Sequence, residues 1–373
     1  MKILNVGYIA LAPFIGGSER SLQIILLEAT KSKKINPILF CPAESPMYEW
    51  AKINNISTEK VALNETDSFL KVLKLRLQLV FLFRKYNIDI AHSNQVWSYP
   101  SLSLVPKLSN TKLVCHLRDP INEDIDWWFK VKADALVCVS KYIQDSLKSN
   151  YSAYNEIANI KTLINPISEH ALANAKNVEE SKIAARKKFS LCQSKITFGF
   201  IGQISPVKGV LEMLEMLSYC QTVDWQVIIA GHDTTKQQDY LLRCKAFATE
   251  LGISKNVHFL GFLEETEDFY HSIDCVIMLS KEEPLGRVPL EAGAFSKPTI
   301  ANSVGGLKEI IIHNETGILC KIDSLKNIAE TIERTSLDEY DAMGINARRF
   351  VEKNASPSRY LSNLHSIYGK IIK

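Results

Sequence analysis

The chain has 373 residues, more than one hydrophobic core usually supports, so two domains are expected. Hydrophobic residues make up 46% and charged residues 23%, which excludes disordered and collagen-like chains. The 44 basic and 41 acidic side chains leave a net charge of +3, which argues against a generally basic nucleic-acid binder.

Residues 2–9 (KILNVGYI) read as a buried strand, followed by a glycine turn at Gly16-Gly17 and a helical pattern from Ser18 to Lys31. The opening run carries one lysine and passes directly into Gly16-Gly17 and Glu19-Arg20 without a small-residue cleavage pattern. A first strand is therefore expected rather than a signal peptide. Pro37–Cys41 reads as a strand, residues 69–86 as a long helix, and Ile88–His92, Lys112–His116 and Ala135–Ser140 as further strands. Asn165-Pro166 should end a strand, and a polar helical segment from Val178 to Lys188 marks the domain junction. The alternation then restarts: strands at Ile196–Ile201, Trp225–Ala230, Val257–Leu260, Cys275–Leu279, Pro298–Ala301 and Gly317–Cys320, with a helix at Glu212–Tyr219. This α/β pattern predicts two Rossmann-like domains, residues 1–168 and 169–355, facing across a cleft, with the final segment 356–373 separate. No stretch reaches the roughly 18 uninterrupted apolar residues of a spanning helix. The eight cysteines form no C-x-x-C pair and most sit in apolar runs, so buried thiols in a reducing, cytoplasmic setting are expected.

Open parallel sheets bind ligands beyond the carboxyl ends of their strands, so residues that follow strands carry the chemical expectations. Glu283-Pro-Leu-Gly-Arg-Val-Pro-Leu-Glu291 spans the start of a helix, where free N–H groups and the dipole suit a diphosphate. Glu291 could accept hydrogen bonds from a ribose diol, and Glu283 could contact a transferred sugar. The alternative is two solvated carboxylates at a helix start. Lys208, in the loop Gly202-Gln-Ile-Ser-Pro-Val-Lys-Gly209, could neutralise a phosphate or could be an ordinary turn lysine. Gly16-Gly17 permits close backbone approach to an anion but lacks G-x-G-x-x-G and is also compatible with a plain turn. His116 ends a strand, where a ligand-facing residue belongs, although a lone histidine is often structural. Asp124-Ile125-Asp126 reads as an acidic helix start rather than a divalent metal site. The apolar segment 70–85, with Lys71, Lys74, Arg76, Arg84 and Lys85, reads as a helix packed on its sheet, with an anionic membrane surface as the alternative.

Taken together, EPLGRVPLEAGAFSKP (Glu283–Pro298) and VGGLKEIIIHNETG (Val304–Gly317) resemble the retaining glycosyltransferases of family four, with the glycosyltransferase-B fold. The resemblance runs over nearly the whole chain. It implies that Glu291 binds the nucleotide ribose, Glu283 touches the donor sugar, Lys208 holds the diphosphate, Gly16 and Gly17 lie beside the phosphates, and His116 contacts the sugar. It also implies that the C-terminal helix crosses back onto the first domain. Where the family commonly has arginine this chain has Gln203, which supplies no charge; Arg287 could compensate. The expected activity is transfer of a hexose from a nucleotide diphosphate sugar to a saccharide or lipid-linked acceptor in bacterial cell-surface polysaccharide or lipopolysaccharide synthesis. No metal or further cofactor is expected, and no nucleic-acid partner; the protein is expected in the cytoplasm, with peripheral contact to the inner membrane face as an option. The competing readings are a sugar-nucleotide epimerase and a non-catalytic sugar-nucleotide-binding protein, the latter motivated by Gln203.

Overall fold

The computed structural model describes residues 3–62, 69–102, 104–121, 132–152, 154–157, 159–173 and 178–372. The chain divides into two compact units: residues 1–166 with 356–373, and residues 167–355.

The first unit is built on seven strands: β1 (Leu4–Ile9), β2 (Ile35–Pro42), β3 (Thr58–Val61), β4 (Ile90–Ser93), β5 (Lys112–Leu117), β6 (Ala135–Cys138) and β7 (Ile160–Thr162). All pair in parallel in the order β3-β2-β1-β4-β5-β6-β7. Val6 of β1 faces Pro37 on one side and Ile90 on the other, so the sheet reverses its building direction between β1 and β4. The central strands are buried along nearly their whole length, as covered parallel strands must be. The helix Gly17–Lys31 buries Leu22, Ile25, Leu26 and Ala29, a three-to-four-residue spacing that faces the sheet. β3, β7 and the helix Pro46–Ile53 were not expected from the sequence. The two strands lie at the edges of the sheet, are only partly buried and carry no apolar run, whereas Ser45-Pro46 does carry a helix-start signal: the Ser45 hydroxyl accepts from the Met47 N–H. β7 stops at Thr162, before Asn165-Pro166, whose expected role as a strand end is corrected: Asn165 Oδ1 instead accepts from the Arg118 guanidinium.

The helix Pro357–Ile372 belongs to this first unit. It packs on the helix Gly17–Lys31 and places Tyr360, Leu361, Leu364, Ile367, Tyr368 and Ile371 in one core with Val6, Tyr8, Leu22 and Ile25.

The second unit has six parallel strands: β8 (Ile196–Ile201), β9 (Trp225–Ala230), β10 (Val257–Gly261), β11 (Cys275–Met278), β12 (Thr299–Asn302) and β13 (Gly317–Cys320). Their order is β10-β9-β8-β11-β12-β13, so the switch point lies between β8 and β11. The polar helix Val178–Lys188, read as marking the junction and placed within the second domain, is fastened to this unit. Lys182 and Arg186 each reach a carboxylate oxygen of Asp274 at 2.7 Å, and the same carboxylate accepts from the Thr197 N–H at the head of β8. Its charges serve a buried network that the sequence pattern does not distinguish from a solvated face.

All eight cysteines are free. Burial pushes the Cys41 thiol up to about 11 and those of Cys138, Cys220, Cys244 and Cys320 up to about 12. Cys192 departs from the expectation of burial: it is exposed, and its hydrogen bond with Ser194 lowers its thiol pKa. Among the described residues no helix is long and apolar enough to cross a membrane.

Candidate functional site

In the second unit, the loop after β8 and the loop after β11 lie against each other, and one glycine makes this possible. Gly209 has φ +73°, and a Cβ there would sit 2.1 Å from the Leu279 carbonyl oxygen. With no side chain in the way, the two backbones touch, and the Lys281 N–H donates to the Val207 carbonyl at 2.8 Å. Lys208 is thereby carried to Glu283, Nζ to Oε2 at 2.7 Å.

Glu283 is buried and fixed from its other side as well. Its carbonyl accepts from the Gly306 N–H at 2.9 Å. Gly305, with φ +49°, leaves room for that carbonyl where a Cβ would approach to 2.1 Å. The glycine pair inside VGGLKE thus shapes the floor beneath Glu283, a role that its position after β12 signals only in outline.

The helix Arg287–Ala294 begins four residues after Glu283. Arg287 and Glu291, one turn apart on the same face, pair at 2.7 Å from Nε to Oε1. The second oxygen of Glu291 accepts from the Tyr270 hydroxyl at 2.9 Å. Tyr270 was not expected here; its distance in sequence gives no signal. Gln203 is exposed near the head of the β8 loop and brings no charge. Lys208 with Glu283 and Arg287 with Glu291 are therefore brought together as two ion pairs at the switch point of one sheet, beside the first turn of a helix. Two cations beside the positive end of a helix suit a diphosphate, and the paired carboxylates suit hydroxyl groups. A surface cavity of about 490 Å³ between β13 and the helix Leu325–Arg334 contains none of these side chains and is not part of this site.

The remaining expected residues belong to the first unit. Gly16 and Gly17 open the helix Gly17–Lys31, but the Gly16 N–H is already held by the Glu19 carboxylate at 3.0 Å and is not free for a phosphate. His116, expected to end its strand, is the penultimate residue of β5, which runs on to Leu117, and no part of it is exposed. Its ring stacks on Tyr360 from the C-terminal helix, with Nε2 3.5 Å from the Tyr360 hydroxyl and Nδ1 3.3 Å from Arg118. Burial first, and then the Arg118 charge, hold its pKa well below the ordinary histidine value. A neutral, enclosed imidazole touches a sugar only if Tyr360 or Arg118 moves aside. Asp124 and Asp126 lie outside the described residues, among which no group of three or more His, Cys, Asp or Glu could hold a metal ion.

Two family models match the chain. Residues 181–355 match the family model for glycosyl transferases group 1, and residues 15–166 match the model for glycosyltransferase family 4. N-acetyl-alpha-D-glucosaminyl L-malate synthase of Bacillus anthracis is 22% identical over 343 residues, covering 86% of this chain and 85% of that one. The capsular polysaccharide biosynthesis glycosyltransferase CapM of Staphylococcus aureus is 26% identical over 195 residues, which is 50% of this chain and about half (49%) of that relative. The crystal structure of Anabaena HepE in complex with UDP-glucose superposes with a TM-score of 0.79 at 19% identity, covering 98% of this chain and 100% of that one. Matched in both units and sharing their Rossmann-like sheets, the chain belongs to the group 1, family 4 glycosyltransferases of glycosyltransferase-B fold.

Proposed function

We propose that this glycosyltransferase moves a hexose from a nucleoside diphosphate sugar, with retention at the anomeric carbon and without a metal ion, to a saccharide acceptor used in cell-surface polysaccharide assembly. The observation that carries the reading is the double ion pair Lys208–Glu283 and Arg287–Glu291 on the loop and helix start at the β8/β11 switch point. UDP is the first nucleotide to test, because HepE was solved with UDP-glucose; the capsular role of CapM supports the polysaccharide acceptor. Retention follows from the family resemblance.

In this reading the diphosphate draws Lys208 away from Glu283, and Glu283, released, accepts hydrogen bonds from the sugar. Arg287 and the first turn of its helix add positive potential, which offsets the missing charge at Gln203. Glu291, oriented by Tyr270, accepts from the ribose hydroxyls. Transfer breaks the bond between the anomeric carbon and the phosphate oxygen, whose electron pair leaves with the diphosphate. The acceptor oxygen forms the new bond, and its proton passes to the departing diphosphate. The greatest stabilisation falls on the departing diphosphate, where loss of one such group lowers rates about 10²–10³-fold by analogy with oxyanion donors.

The test is calorimetric binding of UDP and turnover of UDP-glucose, UDP-galactose and UDP-N-acetylglucosamine, each with and without EDTA. Binding and nucleotide release that survive EDTA and fall at least about tenfold in Lys208→Ala and in Glu291→Ala are expected. Absence of nucleotide binding sinks the donor site. An epimerised sugar nucleotide as the only product replaces transfer with epimerisation.

A further inference from the structure

The starts of β8, β11 and β12, at the opposite end of the second sheet from the donor site, surround a buried cluster of charges. Asp274, just ahead of β11, is 5% exposed. Lys182 Nζ lies 2.7 Å from its Oδ1, and Arg186 and the Thr197 N–H each donate to its Oδ2 at 2.7 Å. Arg186 also donates to the Ser272 and Gln193 carbonyls, at 2.9 and 2.7 Å. Lys297 joins this cluster from just ahead of β12, in a turn fixed by its own N–H, which donates to the Ala292 carbonyl at 2.9 Å.

Lys297 is 5% exposed, and among the described residues its ammonium makes no hydrogen bond and no ion pair. Asp274 and Asp341 attract its charge, while Lys182 and Arg186 repel it. Asp341, on the helix Leu337–Asn354, is exposed, and Asp274 already holds two cations. Arg186 and Lys297 are thus two enclosed cations set against one enclosed carboxylate, with Lys182, 21% exposed, as a third. Charges this deep are normally paired, so the cluster carries an excess of positive charge. Burial lowers the Lys297 pKa from 10.5 to about 8, so the amine still holds its proton at neutral pH and the excess remains.

We infer that the Lys297 ammonium binds a small monovalent inorganic anion of the size and charge of chloride, with Lys182 and Arg186 adding positive potential. Lys182, the most open of the three cations, marks the side from which the ion enters. One unpaired ammonium calls for one negative charge; a doubly charged oxyanion would overshoot it and face Asp274. The ion neutralises the cluster that fastens the helix Val178–Lys188 to the sheet, so the second unit is more stable with it than without. The inference uses no residue of the donor site and does not rest on the transferase reading.

The experiment is calorimetric melting of the full chain at about pH 7 and constant ionic strength, with gluconate, too large for the site, replaced stepwise by chloride. Anomalous diffraction from crystals soaked in sodium bromide locates the ion. The wild-type melting midpoint is expected to rise with chloride and then climb logarithmically: at a hundredfold excess over Kd the folding constant grows about a hundredfold. Lys297→Met, which keeps the length and removes the charge, should lose this response and melt no lower than the wild type without chloride, because it no longer buries an unpaired cation. A bromide peak in contact with Lys297 Nζ is expected. A wild-type midpoint that is the same in both salts overturns the inference, as does an unchanged chloride response in Lys297→Met. Bromide found only on exposed lysines is an adventitious ion only and overturns it too. If Lys297→Met fails to fold, Lys297→Gln and the bromide map decide.

Discussion

Glu283 is held by a cation at its carboxylate and by a glycine N–H at its carbonyl, so its charge can be removed without loosening its backbone. Glu283→Gln leaves Lys208 without its carboxylate partner. UDP should then bind as well as before or more tightly, while turnover of UDP-glucose falls about 10²–10³-fold if the carboxylate helps stabilise the reacting sugar. Calorimetry and initial rates on one preparation separate the two effects, and a collapse of UDP affinity would contradict the roles given to both residues. At this scale the identities of Lys208, Glu283, Arg287 and Glu291 were legible, because residues after parallel strands gather at one end of the sheet. Their partners were less so: the Lys208–Glu283 pair depends on the backbone contact that Gly209 permits, and Tyr270 reaches Glu291 from another helix. His116 misled for a related reason. A strand end predicts access to ligand, but Tyr360, supplied by the distant C-terminal helix, covers it.

The helix Phe69–Lys85 has two apolar faces. Leu75, Leu79, Leu82 and Phe83 are buried, as packing on the sheet requires. Leu70, Leu77 and Phe81 are each at least 60% exposed, Leu73 is exposed beside them, and Lys71, Lys74 and Arg84 share the outer surface. We propose that this outer stripe rests on an anionic membrane, where apolar area and lysine charge act together. The double variant Leu77→Asp with Phe81→Asp should keep its melting temperature, because neither residue is buried. It should lose at least about tenfold in co-sedimentation with vesicles containing phosphatidylglycerol. Wild-type protein that ignores these vesicles sinks the membrane reading. Both readings of this segment were on the page from its sequence; a two-faced helix satisfies the internal one and leaves the external one open. Among elements, long periodic helices and fully buried strands were readable, even at four residues as in β4, β6 and β11, whereas β3 and β7, partly buried strands at the two edges of their sheet, were not. The helix Val178–Lys188 was located correctly, but its tether to Asp274 is a long-range contact that no local pattern carries.

Across the whole molecule, alternating strands and helices sufficed to read two parallel α/β units, because each strand buried on both faces leaves an apolar run of its own. The polar interior of the first unit was not readable in the same way. His92 Nδ1 lies 2.6 Å from the Tyr368 hydroxyl, and its ring stacks on Tyr8. Burial first, then the Arg118 charge, lowers its pKa from 6.5 to about 3, and His116 shifts in the same direction. A histidine whose folded pKa is depressed binds fewer protons folded than unfolded. Its contribution to stability is complete above the unfolded value of 6.5 and is lost as pH falls toward 3. His258 and His271 in the second unit are also lowered, chiefly by burial. Calorimetric melting should therefore show falling stability as pH drops from 6.5 to about 5.5, above the range in which ordinary carboxylates take up protons. His92→Phe, which cannot take up the proton, should flatten this dependence in part. An unchanged slope would place the pH sensitivity elsewhere.

The helix Pro357–Ile372 completes the core of a unit whose sheet begins at Leu4. A ribosome delivers every residue of the second unit before it delivers Tyr360 or Tyr368, so the half of the protein made first is the half finished last. Until then Tyr8, Leu22 and Ile25 lack their last partners, and the nascent first unit presents an open apolar surface for the whole time that residues 167–355 are being synthesised. Chain growth thus gives the second unit a head start in maturation, and a stop codon just ahead of Pro357 would strand the first unit with that surface uncovered while leaving the second unit's own strands and helices complete.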